Sequence, residues 1–208
     1  MHTDSKMKHL ILILLILNLF TPVVCAQNDA VIIGQVAKAS AQTRSLTCDF
    51  VQTRQNSLMS APVVSTGRMA YERPSRLRWG YVTPKELVFI MNAGKAYIKK
   101  DGHKTLLDAA RSKAFRKIST LIMSCVTGQG LTDDKTFCVG VKQESDRYVL
   151  TLTPRQKDLQ RMYRSITLHY NIRQQLVDRV EMLEKNGDVT RIEMNNIVTN
   201  ATIQPDTF

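Results

Sequence analysis

Residues able to do covalent chemistry are few in this chain of 208 residues. A cysteine nucleophile would need Cys48 beside a histidine base, and only His103 and His169 follow it in the chain. His103 is expected in a turn after Gly102, and His169 at a strand end beside Tyr170. Neither has a residue nearby in sequence that would orient it as a base. Asp133 and Asp134 are adjacent, and Glu181 and Glu184 fall on opposite faces of a strand, so these carboxylates read as solvated charge. Cys48, Cys125 and Cys138 lack the paired spacing of a metal site. With Cys25 in the expected signal segment, the three remaining thiols leave a Cys125–Cys138 disulfide as one option among buried free cysteines. There is no Gly-x-Ser-x-Gly elbow, no glycine-rich phosphate loop and no His-Glu-x-x-His. No catalytic residue, cofactor or metal is therefore assigned, and the chain is not read as an enzyme.

The residues that stand out suit binding instead. Tyr71-Glu-Arg-Pro-Ser-Arg-Leu-Arg-Trp-Gly-Tyr81 holds the only tryptophan. In an extended strand Leu77, Trp79 and Tyr81 share one face, while Arg76 and Arg78 share the other. Pro74 marks the strand's start, because it cannot donate to a ladder, and leaves Arg73 at the break. Met69, Met91, Met162, Met182 and Met194 fall on predicted strands. Methionine adapts to irregular apolar surfaces and to varied apolar ligands.

These residues need a scaffold. A positive Lys6/Lys8 region, an apolar run from Leu10 to Phe20 and Val24-Cys25-Ala26 have the layout of a secretory signal, so residues 1–26 are expected to be removed, with lipidation at Cys25 or an uncleaved anchor as the alternatives. Residues 27–208 then form a single exported domain. A helix is expected over Asp29–Gln42 and strands from Ser45 onward. Leu87, Phe89 and Met91 share one face of a strand whose other face, Val88 and Ile90, is also apolar, so both faces should be covered. From Ser112 the apolar residues Phe115, Ile118, Leu121 and Ile122 recur at helical spacing, with Gly128 at the C-cap position. Further strands are expected over Lys135–Gln143, Arg147–Thr153, Arg161–Tyr170, Gln175–Lys185 and Val189–Val198. The fold expected is mainly β: an antiparallel meander of around ten strands, which must curl, close or be covered. An N-terminal helix accompanies it, the central helix must lay its apolar face on the sheet, and a curled sheet with a helix across its mouth gives a natural cavity. The net charge of +11 is scattered, and without a stacking platform nucleic acid is not an expected partner.

Phe50-Val-Gln52, Gly67, Tyr71-Glu-Arg-Pro-Ser-Arg-Leu-Arg-Trp79, Pro84 and Asn92-Ala-Gly94, in this order, resemble the periplasmic outer-membrane lipoprotein carrier family (LolA-like). The resemblance implies an unclosed antiparallel β-barrel of about ten to eleven strands, with an N-terminal helix and a central helical lid over an apolar cavity. It implies a monomeric periplasmic carrier of lipoprotein acyl chains. Its partners would be an inner-membrane ABC-type lipoprotein releasing complex and an outer-membrane acceptor. It also implies that Arg73 latches the lid and that Trp79 lines the cavity. With Leu77, Tyr81, Phe89 and Met91 on the sheet, and Phe115, Ile118 and Ile122 on the lid helix, Trp79 completes the expected ligand wall. The alternative is a binding module for another exported lipid or glycolipid on the same fold.

Overall fold

The computed structural model describes residues 24–56, 60–107, 128 and 130–208. Residues 1–23 of the expected signal segment, and the expected lid helix with Phe115, Ile118 and Ile122, lie outside these residues. Helix α1 spans Val24–Ala41 and leads into strands β1 (Ser45–Gln55), β2 (Val63–Glu72), β3 (Arg76–Thr83), β4 (Leu87–Asn92), β5 (Lys95–Lys100) and β6 (His103–Leu106). After the central segment come β7 (Phe137–Glu144), β8 (Arg147–Pro154), a short helix α2 (Lys157–Met162), β9 (Tyr163–Asn171), β10 (Leu176–Glu184) and β11 (Val189–Thr199). A 3-10 turn, Pro205–Thr207, precedes the last residue.

All eleven described strands form one sheet in the order β6-β5-β4-β3-β2-β1-β11-β10-β9-β8-β7. Every pairing among them is antiparallel, and the first and last strands meet in the middle with Phe50 opposite Met194. The two edges, β6 and β7, are neighbours in sequence but not in the ladder. The barrel is therefore unclosed between β6 and β7, as the resemblance implies.

Helix α1 begins at Val24, ahead of the expected Asp29, and three further differences from expectation have local reasons. His103 begins an edge strand rather than sitting in a turn; all four β6 residues are exposed, so no alternation betrays the strand. The strand expected from Arg161 starts at Tyr163, because Lys157–Met162 winds into one helical turn that packs Leu159 and Met162 on the core. Met162 thus moves from strand to helix. The strand expected from Lys135 starts at Phe137, because the Asp133 carboxylate accepts from the Lys135 backbone N–H and the Thr136 hydroxyl and holds a turn there.

Helix α1 lies on one face of the sheet, called inner here. Its Val36 is fully buried and Ile32 nearly so, against Leu46, Cys48, Phe50, Leu150, Leu168 and their neighbours. The Asp29 carboxylate accepts from the Val141 N–H at 3.3 Å, which occupies a donor on edge strand β7. Gly128 sits in the left-handed region at φ 72°, and a Cβ there would lie 2.9 Å from the Ala37 Cα and 2.8 Å from the Ser40 Cβ. The end of the central segment is thereby seated on α1. The outer face of β2 and β4 is covered differently. Ala70, Val88 and Ile90 pack against Phe208, with Tyr97 and Ile203 beside them. The C-terminal residues supply the second cover that the doubly apolar β4 requires.

Candidate functional site

The inner face of β1–β4 carries a continuous aromatic surface. Gly67 on β2 lies opposite Phe50 of β1 and Tyr81 of β3. Having no side chain, it leaves room for the Phe50 ring to lie across the strand. Phe50 stacks on Trp79 with centroids 4.3 Å apart and meets Tyr81 edge-on at 5.5 Å. Trp79 and Tyr81 are 6.4 Å apart in an edge arrangement. Such contacts add about 0.5–1.5 kcal/mol each beyond area burial. The Tyr81 hydroxyl donates to Gln52 Oε1 at 3.1 Å. Burial pushes the Tyr81 phenol up, with Trp79 and Gln52 pulling it back part of the way. The Trp79 indole N–H neighbours the Tyr81 oxygen but is outside hydrogen-bond geometry, and it is buried without a partner among the described residues.

The expected wall residues on the sheet come together. Leu77 and Trp79 are buried, and Tyr81, Phe89 and Met91 are half-buried against the same cluster. Tyr81 lies opposite Leu87, Trp79 opposite Phe89 and Leu77 opposite Met91. The partial exposure of Tyr81, Phe89 and Met91 marks where the described residues leave the inner face incompletely covered. Beside it opens a cavity of about 450 Å³ whose lining includes Gln52, Tyr81 and Leu87 together with Lys85, Glu86 and Lys100. Phe50 and Gln52 were not among the expected wall residues. Their signal is the pairing of a bulky strand residue with a glycine on the next strand, which alternation within one strand does not reveal.

Arg73 sits where Pro74 ends β2, across a cis peptide. Its backbone N–H donates to the Arg44 carbonyl and its Nε to the Thr43 carbonyl, both at 2.8 Å. The β2–β3 turn is thus tied to the chain just after α1. Nη2 of the same guanidinium is buried and has no hydrogen-bond partner among the described residues.

The cysteine–histidine pairing is not assembled. Cys48 faces the inner core, and burial, with help from the Asp49 charge, pushes its thiol up to about 12. Thiolate is the nucleophilic form, so Cys48 is inert near neutral pH. His169 falls between Leu168 and Tyr170, both of the inner core, and so projects from the other face of the sheet. Cys138 is exposed and free, and Cys125 lies outside the described residues.

His169 carries a pH prediction instead. Its Nε2 is 3.4 Å from Glu181 Oε1, and its side chain is 14% exposed. Burial disfavours the imidazolium, Glu181 opposes that, and burial is the larger effect, so the pKa falls below its ordinary 6.5. As pH drops through the ordinary value, the unfolded chain takes a proton that the native state refuses. Stability therefore falls and levels off once the native pKa is passed. His169→Asn is expected to lose less stability than the wild type between neutral pH and about pH 5, in denaturant melts at each pH. Equal losses would show that His169 is not the group responsible.

The architecture is an unclosed antiparallel barrel with an apolar inner face. The family model described as "Outer membrane lipoprotein carrier protein LolA" matches residues 41–208, and the chain belongs to that family. An outer-membrane lipoprotein carrier protein of Bordetella avium is 27% identical over 169 residues, covering 81% of this chain and 77% of that one. One from Methylococcus capsulatus is 23% identical over 165 residues, covering 79% and 76%. Among solved structures, MucB matches with a TM-score of 0.54 at 17% identity, over 86% of this chain and 62% of MucB. This likeness is one of fold, and the chain spans less than two thirds of MucB.

Proposed function

We propose that this protein is an exported, periplasmic carrier that holds lipoprotein acyl chains against its inner face. It would take them from an inner-membrane ABC-type releasing complex to an outer-membrane acceptor. The observation that carries this reading is the half-buried Tyr81–Phe89–Met91 wall, continuous with the Phe50–Trp79 stack, in a chain of the LolA family. Each methylene kept from water is worth about 0.8 kcal/mol, so an acyl chain needs an apolar wall of this kind to leave a bilayer. No bond is made or broken. The protein's task is to bind and release, and Arg73 is the residue proposed to time that cycle. Its Nε bond to Thr43 holds the chain just after α1, and its spare buried N–H suits a second carbonyl on the lid. Charge-assisted bonds of about 1.5–3 kcal/mol each are strong enough to hold a lid and weak enough to open.

Trp79, the only tryptophan, reports binding directly. A triacylated lipopeptide is expected to shift its fluorescence, and the protein is expected to move that lipopeptide between two membranes. Arg73→Leu is expected to bind the lipopeptide yet slow its transfer by about tenfold or more. No Trp79 response and no transfer would end the carrier reading. Transfer by Arg73→Leu at the normal rate would end the latch.

A further inference from the structure

The two ends of the barrel differ. At one, Arg73, Thr43 and the end of α1 meet. At the other lie the end of β1, the starts of β2, β9 and β11, and helix α2. There, Lys157 and Arg161 on α2, Arg164 on β9 and Lys185 after β10 line a pocket of about 750 Å³ with Gln160 and Tyr163. No acidic side chain among the described residues lines it. Arg161 has Asp158 at 3.9 Å, both well exposed. None of Lys157, Arg164 and Lys185 has an ion-pair partner among the described residues. Arg164 is nevertheless fixed: Nε and Nη2 both donate to the Lys185 carbonyl, at 3.3 and 3.0 Å. That carbonyl holds one edge of the guanidinium and leaves its charge unneutralised.

The same rim continues through Arg54, which pairs with Asp188 at 3.1 Å and Glu184 at 3.7 Å, to Val63 opposite Arg54 on β2. Val63 is 39% exposed and Val64 52%. Four strand spacings separate β2 from β9, or about 20 Å along the rim. Four converging cations suit phosphate oxygens. Exposed valines on the same rim suit the acyl boundary beneath the phosphates.

We propose that this end of the barrel docks onto bilayers containing anionic phospholipid. Lipid phosphates enter the Lys157–Arg161–Arg164–Lys185 pocket, and Val63 and Val64 rest at the interface. The docking is separate from whatever the inner face carries. Polybasic segments gain a substantial, salt-sensitive attraction from each cation near such a surface, and exposed apolar residues add a part that salt does not remove.

The test is flotation of the purified protein with vesicles of phosphatidylethanolamine and phosphatidylglycerol, against vesicles of phosphatidylcholine alone. Binding is expected only to the anionic vesicles. Changing Lys157, Arg161, Arg164 and Lys185 together to Gln is expected to weaken it about a hundredfold or more. Removing equal charge elsewhere, by changing Lys38, Lys95, Lys142 and Arg173 to Gln, is expected to weaken it by less than about threefold. Val63→Ser with Val64→Ser is expected to abolish the binding that survives high salt. Circular dichroism of each variant confirms its fold. Equal losses from the two charge variants would mean that total charge, not this pocket, drives binding, and would overturn the proposal. So would full binding by the pocket variant. Binding to polyglutamate as tight as to vesicles, lost in the pocket variant, would identify an acidic protein as the partner instead.

Discussion

Gly67→Val is expected to lower the unfolding free energy by about 3 kcal/mol. A Cβ at this position would lie 2.2 Å from the Gly80 carbonyl oxygen and 2.4 Å from Phe50 Cζ. The ring could turn aside, but the carbonyl belongs to the ladder between β2 and β3 and cannot. Overpacking against backbone is relieved only by moving strands, and here that would also part the Phe50–Trp79 stack. Urea melts followed by Trp79 fluorescence and by circular dichroism give the measurement. A midpoint within error of the wild type would mean that the strand absorbs the side chain, and that the close approach of Phe50 to Gly67 is not a constraint.

Phe50→Ala is expected to cost about 3–5 kcal/mol. Phe50 is 1% exposed, touches two aromatic rings and sits on the central strand that joins the two halves of the sheet. Its removal opens a void between Trp79, Tyr81 and Gly67 that no neighbour is long enough to fill. The two substitutions should not be additive. Deleting the ring removes one of the two collisions that the introduced valine side chain suffers, so the double variant should be more stable than the summed losses allow. Strict additivity would place the Gly67→Val collision wholly with the Gly80 carbonyl.

Much of this was legible in the sequence, because its signals are local. Alternation of Leu46, Cys48 and Phe50, and of Leu77, Trp79 and Tyr81, locates strands and says which residues share a face. The turn residues Asn92-Ala-Gly94 and Asn186-Gly187 mark hairpins. Resemblance to a carrier family, through Phe50, Gln52 and the Arg73–Trp79 segment, supplied the unclosed barrel, which periodicity alone does not distinguish from a flat sheet. What was not legible depends on neighbours distant in sequence. β6 exists because Lys99 and Lys100 of β5 pair with Lys104 and His103, not because its own residues favour a strand. Phe50 belongs to the site through a glycine on the adjacent strand. The pocket beside α2 draws Lys157, Arg161, Arg164 and Lys185 from a helix, a strand and a turn, and their scattered positions gave no run of charge to notice.

The pairing of β1 with β11 has a consequence for how the chain acquires its structure. Each half of the sheet is a run of neighbouring hairpins, β1 to β6 and β7 to β11, whose contacts close short loops and can form early. The seam between the halves joins nearly the two extremes of the polypeptide, so its closure entropy is met last. Until β11 has emerged, one side of β1 has no ladder partner, and Phe50 lacks Met194 across the seam. An amino-terminal half emerging first from a ribosome or a translocation channel would expose an unpaired, apolar strand edge. The order of synthesis thus leaves the β1 edge open until the last strand arrives, and that strand acts as the switch from a sticky nascent chain to a finished barrel.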